Sequence, residues 1–291
     1  MTGRPINRQA KLITVGDNCL DVYVNADVMA VGGNALNVAA QWARHGWSAR
    51  YFGAVGKDAE GDALLEAIAR TGLAATDIER LPGDTAVTLI REHAGERHFL
   101  LEDLGVGEGY FPSADRYDAL KTADWVHLGT HSNLELLRKL VEDGIPFSID
   151  VSTKPRSLPL GGVPLVFASG PEAHDASIES EIQALLDHGA RKAVVTCGSR
   201  GAYFHDGASL YHMPAEQIEA VDTCGAGDSF IATFITAYCI EKAEPPEAMR
   251  RATGAASETC LHKGGFPQDL RQIPAWLSAK YADIIRTQEI C

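Results

Sequence analysis

The sequence predicts an α/β protein with a doubly wound, mostly parallel central sheet, helices on both faces of that sheet, and a small lid of β-strands. Short apolar runs typical of strands alternate with longer helical patterns along most of the 291 residues. This alternation favours a parallel sheet that is covered on both faces. A predicted hairpin and one further strand-like segment interrupt this alternation and predict the lid. No Pro- or Ser-rich linker and no internal repeat divides the chain, so we expect one major domain.

The elements of the predicted core follow from these patterns in chain order. In the first part of the chain we expect strands at 11–16 and 49–56 and helices at 33–46 and 59–72, both of which end on a glycine. Further on we expect strands at 125–129, 146–152, 164–169 and 192–198, helices at about 131–143 and 172–188, and a buried helix at 231–240.

The lid is expected from two segments with strand-like alternation. Residues 85–93 and 96–103 flank a two-residue turn and predict a hairpin, and residues 20–31 alternate in the same way. We therefore expect an N-terminal tail at 1–10 and one domain at 11–291, with lid strands at about 20–31 and 85–103. Free edges of lid strands are often covered by a second copy, which suggests a homodimer through the lid.

The charge and cysteine content exclude several classes of function. The formal net charge of −13 argues against a nucleic-acid partner or an anionic membrane surface. The six cysteines form no CxxC pair and have no zinc-site spacing, and scattered thiols suit a reducing compartment. No segment is apolar enough to span a membrane and no signal-peptide pattern is present. We expect a cytoplasmic protein that binds a small molecule.

The segment AVDTCGAGDSF (220–230) directly precedes the predicted buried helix. Gly225, Ala226 and Gly227 would let an anion approach the free amides and the positive dipole of a helix start. Asp228, in the first turn, could accept a proton from a hydroxyl beside a bound phosphate, as phosphoryl transfer requires. The residues alone equally allow an ordinary turn into a helix with an N-terminal aspartate. A GxxxxGK[ST] loop and a GxGxxG motif between strand and helix are both absent.

Two motifs resemble those of one enzyme family. DTCGAGDSF (222–230) resembles the DTxGAGD signature of the ribokinase-like (phosphofructokinase-B) carbohydrate kinases, and GGNALNVA (32–39) is similar to their Gly-Gly signature with Asn and Ala downstream. GDNCLDVY (16–23), the sheet pattern and the lid-like strands agree with that family over nearly the whole chain. The resemblance implies a ribokinase-like fold and an ATP-dependent kinase that transfers the γ-phosphoryl group directly to a primary hydroxyl of a sugar.

The resemblance also assigns roles to individual residues. Asp228 would be the catalytic base, and the amides of Gly225, Ala226, Gly227 and Asp228 would form an anion hole for the transferred group. The positions that would hold sugar hydroxyls are Asp17, Gly33, Asn34 and Asn37. Those that would border ATP are Thr196, Gly198, Gly201, Ala255 and Gly264.

The implied metal sites are less regular. Glu172 lies where the NxxE motif of the family positions Mg²⁺, but Ser169 replaces the asparagine of that motif. Many relatives bind a monovalent cation such as K⁺ near the first aspartate of the second signature, here Asp222. Transfer of a phosphoryl group requires a divalent ion to screen the phosphates in either case.

Further details resemble the fructoselysine 6-kinase branch of the family, among them SIDVS (148–152) and FASGPE (167–172). This branch implies a fructosyl-amine substrate. Its secondary ammonium could pair with Glu102 and Asp103 at the end of a lid strand, although these acids would equally suit a solvated strand end. Arg97 could approach the sugar or its tail. His127 and His131 follow a parallel strand and could face the cleft, or pack as ordinary core histidines.

Two alternatives stay open at this point. The substrate could be fructose, another ketose or a nucleoside rather than a fructosyl-amine. The chain could also be a non-catalytic sugar-sensing module, because a fold does not by itself fix a function.

Overall fold

The structure of the chain is a computed structural model that describes residues 9–93, 96–153, 158–173 and 176–287. Its strands are β1 (Lys11–Val15), β2 (Cys19–Tyr23), β3 (Val28–Gly32), β4 (Ser48–Phe52), β5 (Ala54–Val55), β6 (Glu79–Arg80), β7 (Val87–His93), β8 (Glu96–Asp103), β9 (Trp125–Leu128), β10 (Phe147–Asp150), β11 (Leu165–Ser169), β12 (Ala193–Thr196), β13 (Ala202–His205), β14 (Leu210–Met213) and β15 (Arg271–Gln272). Its helices are α1 (Asn34–Arg44), α2 (Ala59–Arg70), α3 (Ala114–Leu120), α4 (Leu134–Glu142), α5 (Ile178–Asp187), α6 (Ala226–Phe234), α7 (Pro245–Thr259), α8 (Ala275–Lys280) and α9 (Ala282–Thr287).

The central sheet has eight strands in the order β14-β13-β12-β11-β10-β9-β1-β4. The strands from β12 to β4 are parallel, whereas β13 and β14 are antiparallel to their neighbours. The order reverses direction between β1 and β9, and such a switch point opens a crevice at the carboxyl ends of the strands. The predicted doubly wound, mostly parallel sheet is therefore confirmed.

Helices cover both faces of this sheet, as alternation along the strands requires. Ile13 and Val15 of β1 pack into one apolar cluster with residues of α3, α4 and α5, among them Leu120, Leu136 and Ile182. Leu12, directly before Ile13, packs into a second cluster with Val38, Trp42, Phe234 and Ala252 of α1, α6 and α7. Each face of β1 is thus buried by a different helical layer.

A second, five-stranded sheet contains the predicted lid strands in the order β15-β3-β2-β7-β8. β2 and β3 are antiparallel, β7 and β8 are antiparallel, and β2 joins the two hairpins by pairing in parallel with β7. The inner face of this sheet packs on α1 and α2 through residues such as Leu20, Leu36 and Leu64. Its edge strand β8 exposes Phe99, and the homodimer through the lid stays a prediction.

α6 begins within the glycine motif, directly before the apolar run. The expected buried helix at 231–240 is observed as α6 from Ala226, followed by a π-helical segment at Ile235–Ile240. Gly227 and Asp228 are therefore inside the first turn of the helix. None of the helices that the structure describes is long and apolar enough to cross a membrane.

Candidate active site

Three neighbouring strands of the central sheet end at the same place. Asp17 follows β1, Thr130 follows β9, and Asp150 is the last residue of β10. Because these strands are adjacent and parallel, their carboxyl ends bring the three residues to one crevice. The first residue of α1, Asn34, lies above it.

Asn34 connects the crevice to the start of α6. Its side-chain amide donates to Oδ2 of Asp150 at 2.8 Å and to Oδ1 of Asp228 at 2.6 Å. Its side-chain oxygen accepts a hydrogen bond from the backbone N–H of Thr130 at 3.3 Å. Asn37, one turn further along α1, donates its amide to Oδ2 of Asp228 at 2.7 Å. Both carboxylate oxygens of Asp228 thus have a fixed donor.

The carboxyl groups in this crevice hold their protons more tightly than usual. Burial raises the pKa of Asp228 from 3.8 to about 7; the Asn37 amide opposes the shift and the charge of Asp150 adds to it. Burial likewise raises the pKa of Asp150 to about 6, against the hydrogen bond from the Ser152 backbone. The pKa of Asp17 is also raised by burial. A carboxyl that titrates near neutral pH is suited to act as a general base.

Asp17 is held by the start of α1. Its Oδ2 accepts the backbone N–H of Asn34 at 2.7 Å and its Oδ1 that of Ala35 at 3.3 Å. Gly33 precedes the helix with φ of 108°, a region that favours glycine, and an added Cβ would collide with the backbone of Asn18. Asp17 therefore caps free amides at the helix start, and Gly33 shapes the turn that brings it there.

The glycine motif forms the start of α6 as a bare backbone loop. Gly225 has φ of 72°, and a Cβ on it would collide with the backbone of Gly265. The first α-helical hydrogen bond of α6 runs from the Ser229 N–H to the Gly225 carbonyl at 2.9 Å. The backbone amides of Ala226, Gly227 and Asp228 come before this bond in the chain. Of these, the Ala226 N–H donates to the Thr223 carbonyl at 3.3 Å. Gly227 is exposed, and a Cβ on it would meet nothing within 4 Å.

Asp222 ties two loops of the site together. Its buried carboxylate accepts the backbone N–H of Cys224 at 2.9 Å and that of Gly264 at 3.0 Å. The hydroxyl of Tyr23, from lid strand β2, donates to the same carboxylate over 3.4 Å. Gly264, predicted to border ATP, thus lies in the segment that packs on the glycine motif through Gly265.

A small cavity of about 90 Å³ opens beside Asp17 under the lid. Its wall includes Glu102 and Asp103 from the end of β8, together with Glu108 and His131. Glu102 and Asp103 are exposed. The two predicted lid acids therefore share one cavity with the predicted sugar-binding Asp17, and Glu108 adds a fourth carboxylate that the sequence patterns did not indicate.

Two further predicted residues have different outcomes. The side chain of Arg97 lies outside the described part of the structure, although its backbone belongs to β8. His127 is fully buried, and its Nδ1 lies 2.9 Å from the Ser148 hydroxyl. Burial lowers the pKa of His127 to about 3, so it is a neutral core histidine rather than a residue of the cleft.

The predicted nucleotide residues lie around the end of β12. Thr196 ends that strand, Gly198 starts the following turn with φ of 51°, and Gly201 leaves it with φ of 88°. An added Cβ on Gly198 would lie 2.6 Å from Cδ of Glu172, so the metal candidate lies against this turn. Ala255 belongs to α7 and accepts a hydrogen bond from the Ser229 hydroxyl at 3.1 Å, which places it beside the start of α6.

The carboxylates fit Mg²⁺ only in part. Among the described residues, no three His, Cys, Asp or Glu side chains are grouped closely enough to hold a metal ion. Mg²⁺ usually retains several waters and binds one or two carboxylates together with substrate phosphates. The exposed Glu172 suits that mode of binding, whereas the oxygens of Asp222 already accept backbone hydrogen bonds.

Asp150 is the site residue that the sequence patterns missed. Its segment, FSID, was assigned only as a strand. An acidic residue at the end of an otherwise buried parallel strand is the signal that could have indicated it, because such ends line the crevice of an α/β sheet.

The family model described as pfkB family carbohydrate kinase matches residues 6–269. The fructosamine kinase FrlD of Bacillus subtilis (strain 168) is 32% identical over 264 residues, which cover 88% of this chain and 93% of that protein. The fructoselysine 6-kinase of Escherichia coli (strain K12) is 29% identical over 262 residues, which cover 88% of this chain and 99% of that protein.

Solved structures share the fold. A ribokinase of Arabidopsis thaliana, complexed with ribose and ATP, superposes with a TM-score of 0.75 at 22% identity over 88% of this chain and 94% of its own. A ribokinase of Thermotoga maritima superposes with a TM-score of 0.73 at 18% identity over 95% of this chain and 99% of its own.

Proposed function

The chain belongs to the pfkB family of carbohydrate kinases, and we propose that it transfers the γ-phosphoryl group of ATP to the 6-hydroxyl of a fructosyl-amine such as fructoselysine. The observation that carries this proposal is the position of Asp228 in the first turn of α6, next to the glycine backbone at the start of that helix. A positioned base and an anion-binding helix start within one turn are the two parts that phosphoryl transfer to an alcohol needs.

In the proposed mechanism, Asp228 accepts the proton of the substrate hydroxyl. Asn34 and Asn37 hold both oxygens of this carboxylate, so the base is oriented before the substrate arrives. The amides of Ala226, Gly227 and Asp228, with Gly225 shaping the turn, face the developing negative charge. Each such donor contributes about 2.7–4 kcal/mol to lowering the barrier in comparable sites.

Bound ATP with Mg²⁺ supplies the electrophilic phosphoryl group. Thr196, Gly198, Gly201, Ala255 and Gly264 would border the nucleotide, and Glu172 would position the metal ion. Asp222 would stand beside a monovalent cation such as K⁺. The open space around Gly227 supports this placement of the phosphates, because a phosphate needs a close approach to main-chain amides.

The cavity under the lid supports a cationic group on the substrate. Asp17, Glu102, Asp103 and Glu108 all line it, whereas no lysine or arginine among the described side chains does. Two relatives at about 30% identity are named for fructosamine and fructoselysine. We infer that Asp17 holds sugar hydroxyls, with Gly33 shaping its loop, and that the lid carboxylates pair with the substrate ammonium.

The test is ATP consumption with Mg²⁺ on a panel of fructoselysine, other fructosyl-amino acids, fructose, ribose and nucleosides. We expect a clear preference for fructosyl-amines, with phosphorus NMR placing the product phosphate on the 6-oxygen. Turnover on fructose or a nucleoside instead would support the kinase activity and refute the proposed substrate class. No turnover on any of them, with ATP still bound, would favour a sugar-sensing module.

A further inference from the structure

One side-chain amide donates hydrogen bonds to two carboxylates that belong to different elements of the fold. The Nδ2 atom of Asn34 has two hydrogens, and they are directed at Asp150 at the end of β10 and at Asp228 at the start of α6. The Asn34 oxygen accepts a hydrogen bond from the Thr130 N–H, and this bond opposes a rotation that would exchange the amide oxygen and nitrogen. The second oxygen of Asp150 accepts the Ser152 N–H at 2.8 Å. Asp150 is thereby fixed on the far side of the amide from the base.

We propose that Asp150 is a positioning residue for phosphoryl transfer, which anchors the Asn34 amide against Asp228 and places a second buried carboxylate beside the base. This inference rests on the proposed function of Asp228 as the base. Asp150 acts through Asn34 and through space, and it makes no bond to the substrate in this scheme.

After burial and the opposing hydrogen bond from Asn37, the charge of Asp150 has the next largest effect on the pKa of Asp228. Asp17, after β1, is the other carboxylate that raises the pKa of Asp228, and its effect is the smaller of the two. His131, after β9, acts on Asp17. α1 presents only the neutral amides of Asn34 and Asn37 at this end, and α7 meets the start of α6 through the Ala255 carbonyl.

Asp150 and Asp228 are two buried carboxyls on one side-chain amide. Burial raises the pKa of both, and the charge of Asp150 adds to the rise at Asp228, because a like charge nearby disfavours ionisation. A base whose pKa is close to the working pH takes up a hydroxyl proton more readily than an ordinary aspartate would.

The experiment is the pH profile of kcat/KM for the wild type, Asp150→Asn and Asp150→Glu, with Asp187→Asn on α5 as a control that removes a distant surface charge. We expect Asp150→Asn to move the acid limb to lower pH by about one unit, the size of shift that a neighbouring charge causes. Asp150→Glu should keep the limb near the wild-type position, and the control should not change it.

An unmoved acid limb in a folded Asp150→Asn variant would overturn the inference. A raised KM for the sugar with an unmoved limb would also overturn it, because Asp150 would then bind substrate directly. If the wild type transfers no phosphate, the proposed function fails. The interaction between the two carboxyls is then measured by thermal unfolding of a double-mutant cycle of Asp150→Asn and Asp228→Asn. We expect the two sites to couple at pH 8 and not at pH 5; equal coupling at both values would refute the inference.

Discussion

The side-chain amide of Asn34 lies 2.6 Å from Oδ1 of Asp228, although 194 residues separate them in the chain. This contact joins the Gly-Gly motif that starts α1 to the glycine motif that starts α6. The two motifs thus form one structure, in which a neutral donor orients an acid whose pKa is raised to about 7. The predictions below follow from that geometry.

The pH dependence follows from the raised pKa of Asp228. Catalysis needs the ionised carboxylate, so kcat/KM should rise with pH through about 7 and level off above it.

The stability of the folded protein should change with pH in the opposite direction. Because the folded-state pKa lies above the unfolded value of about 3.9, the folded protein binds this proton more tightly and loses stability as pH rises from about 4 to 7. Between pH 5 and 8, thermal unfolding should show the wild type losing on the order of 1 kcal/mol relative to Asp228→Asn. Parallel curves for the two proteins would contradict the assignment.

The two glycines of the anion hole should respond differently to alanine. Gly225→Ala places a side chain in a left-handed conformation and against the Gly265 backbone, which should cost about 2 kcal/mol or more of stability. Gly227→Ala adds a methyl group to a helical position with open space around it, so we expect no loss of stability. Both variants should lose at least tenfold in kcat. The measurements are thermal unfolding and steady-state rates, and a Gly227→Ala variant with full activity would show that the phosphoryl group does not lie close to the Cα of Gly227.

The lid carboxylates should affect only substrates that carry a positive charge. Exposed ion pairs contribute about 0.2–1 kcal/mol each, so the double variant Glu102→Gln/Asp103→Asn should raise KM for fructoselysine by about five- to tenfold. The KM for fructose should stay the same. Glu135→Gln, an exposed acid on α4, is the matched control and should leave both values unchanged. An equal rise in KM for fructose would mean that the lid acids do not recognise the ammonium.

Binding of the metal ion should depend on Glu172. At a fixed ATP concentration, Glu172→Gln should raise the Mg²⁺ concentration for half-maximal rate several-fold, because one of the few available carboxylate ligands becomes neutral. The KM for the sugar should not change. Titration of the rate with Mg²⁺ checks this, and an unchanged requirement would move the metal site away from Glu172.

The local parts of the fold could be predicted from the sequence. The strand and helix patterns, the lid segments and the glycine motif all depend on neighbouring residues, and resemblance to a known family supplied the role of Asp228. The apolar run at 231–240 predicts the buried part of α6 and the glycine motif predicts its first turn with Asp228, but the exact start at Ala226 depends on tertiary packing, because glycines lower helix propensity.

The long-range parts of the site could not be predicted. Asp150 becomes a site residue only because β10 lies next to β9 and β1 in the sheet, and no local pattern fixes that order. Likewise, the cavity with Asp17 and Glu102 requires the parallel pairing of β2 with β7, in which Leu20 pairs with Val87, distant in the sequence. For His127, the patterns allowed either a core position or the cleft, and the alternation of β9 places it in the core.

The most direct test of the central claim is the turnover of Asp228→Asn, measured with ATP, Mg²⁺ and the best substrate of the panel. The account predicts a loss of at least a hundredfold in kcat, within the range of about 10²–10⁴ for removal of a general base, with unchanged ATP binding and a cooperative unfolding transition. Near-normal turnover in a folded variant that still binds ATP would show that Asp228 is not the base.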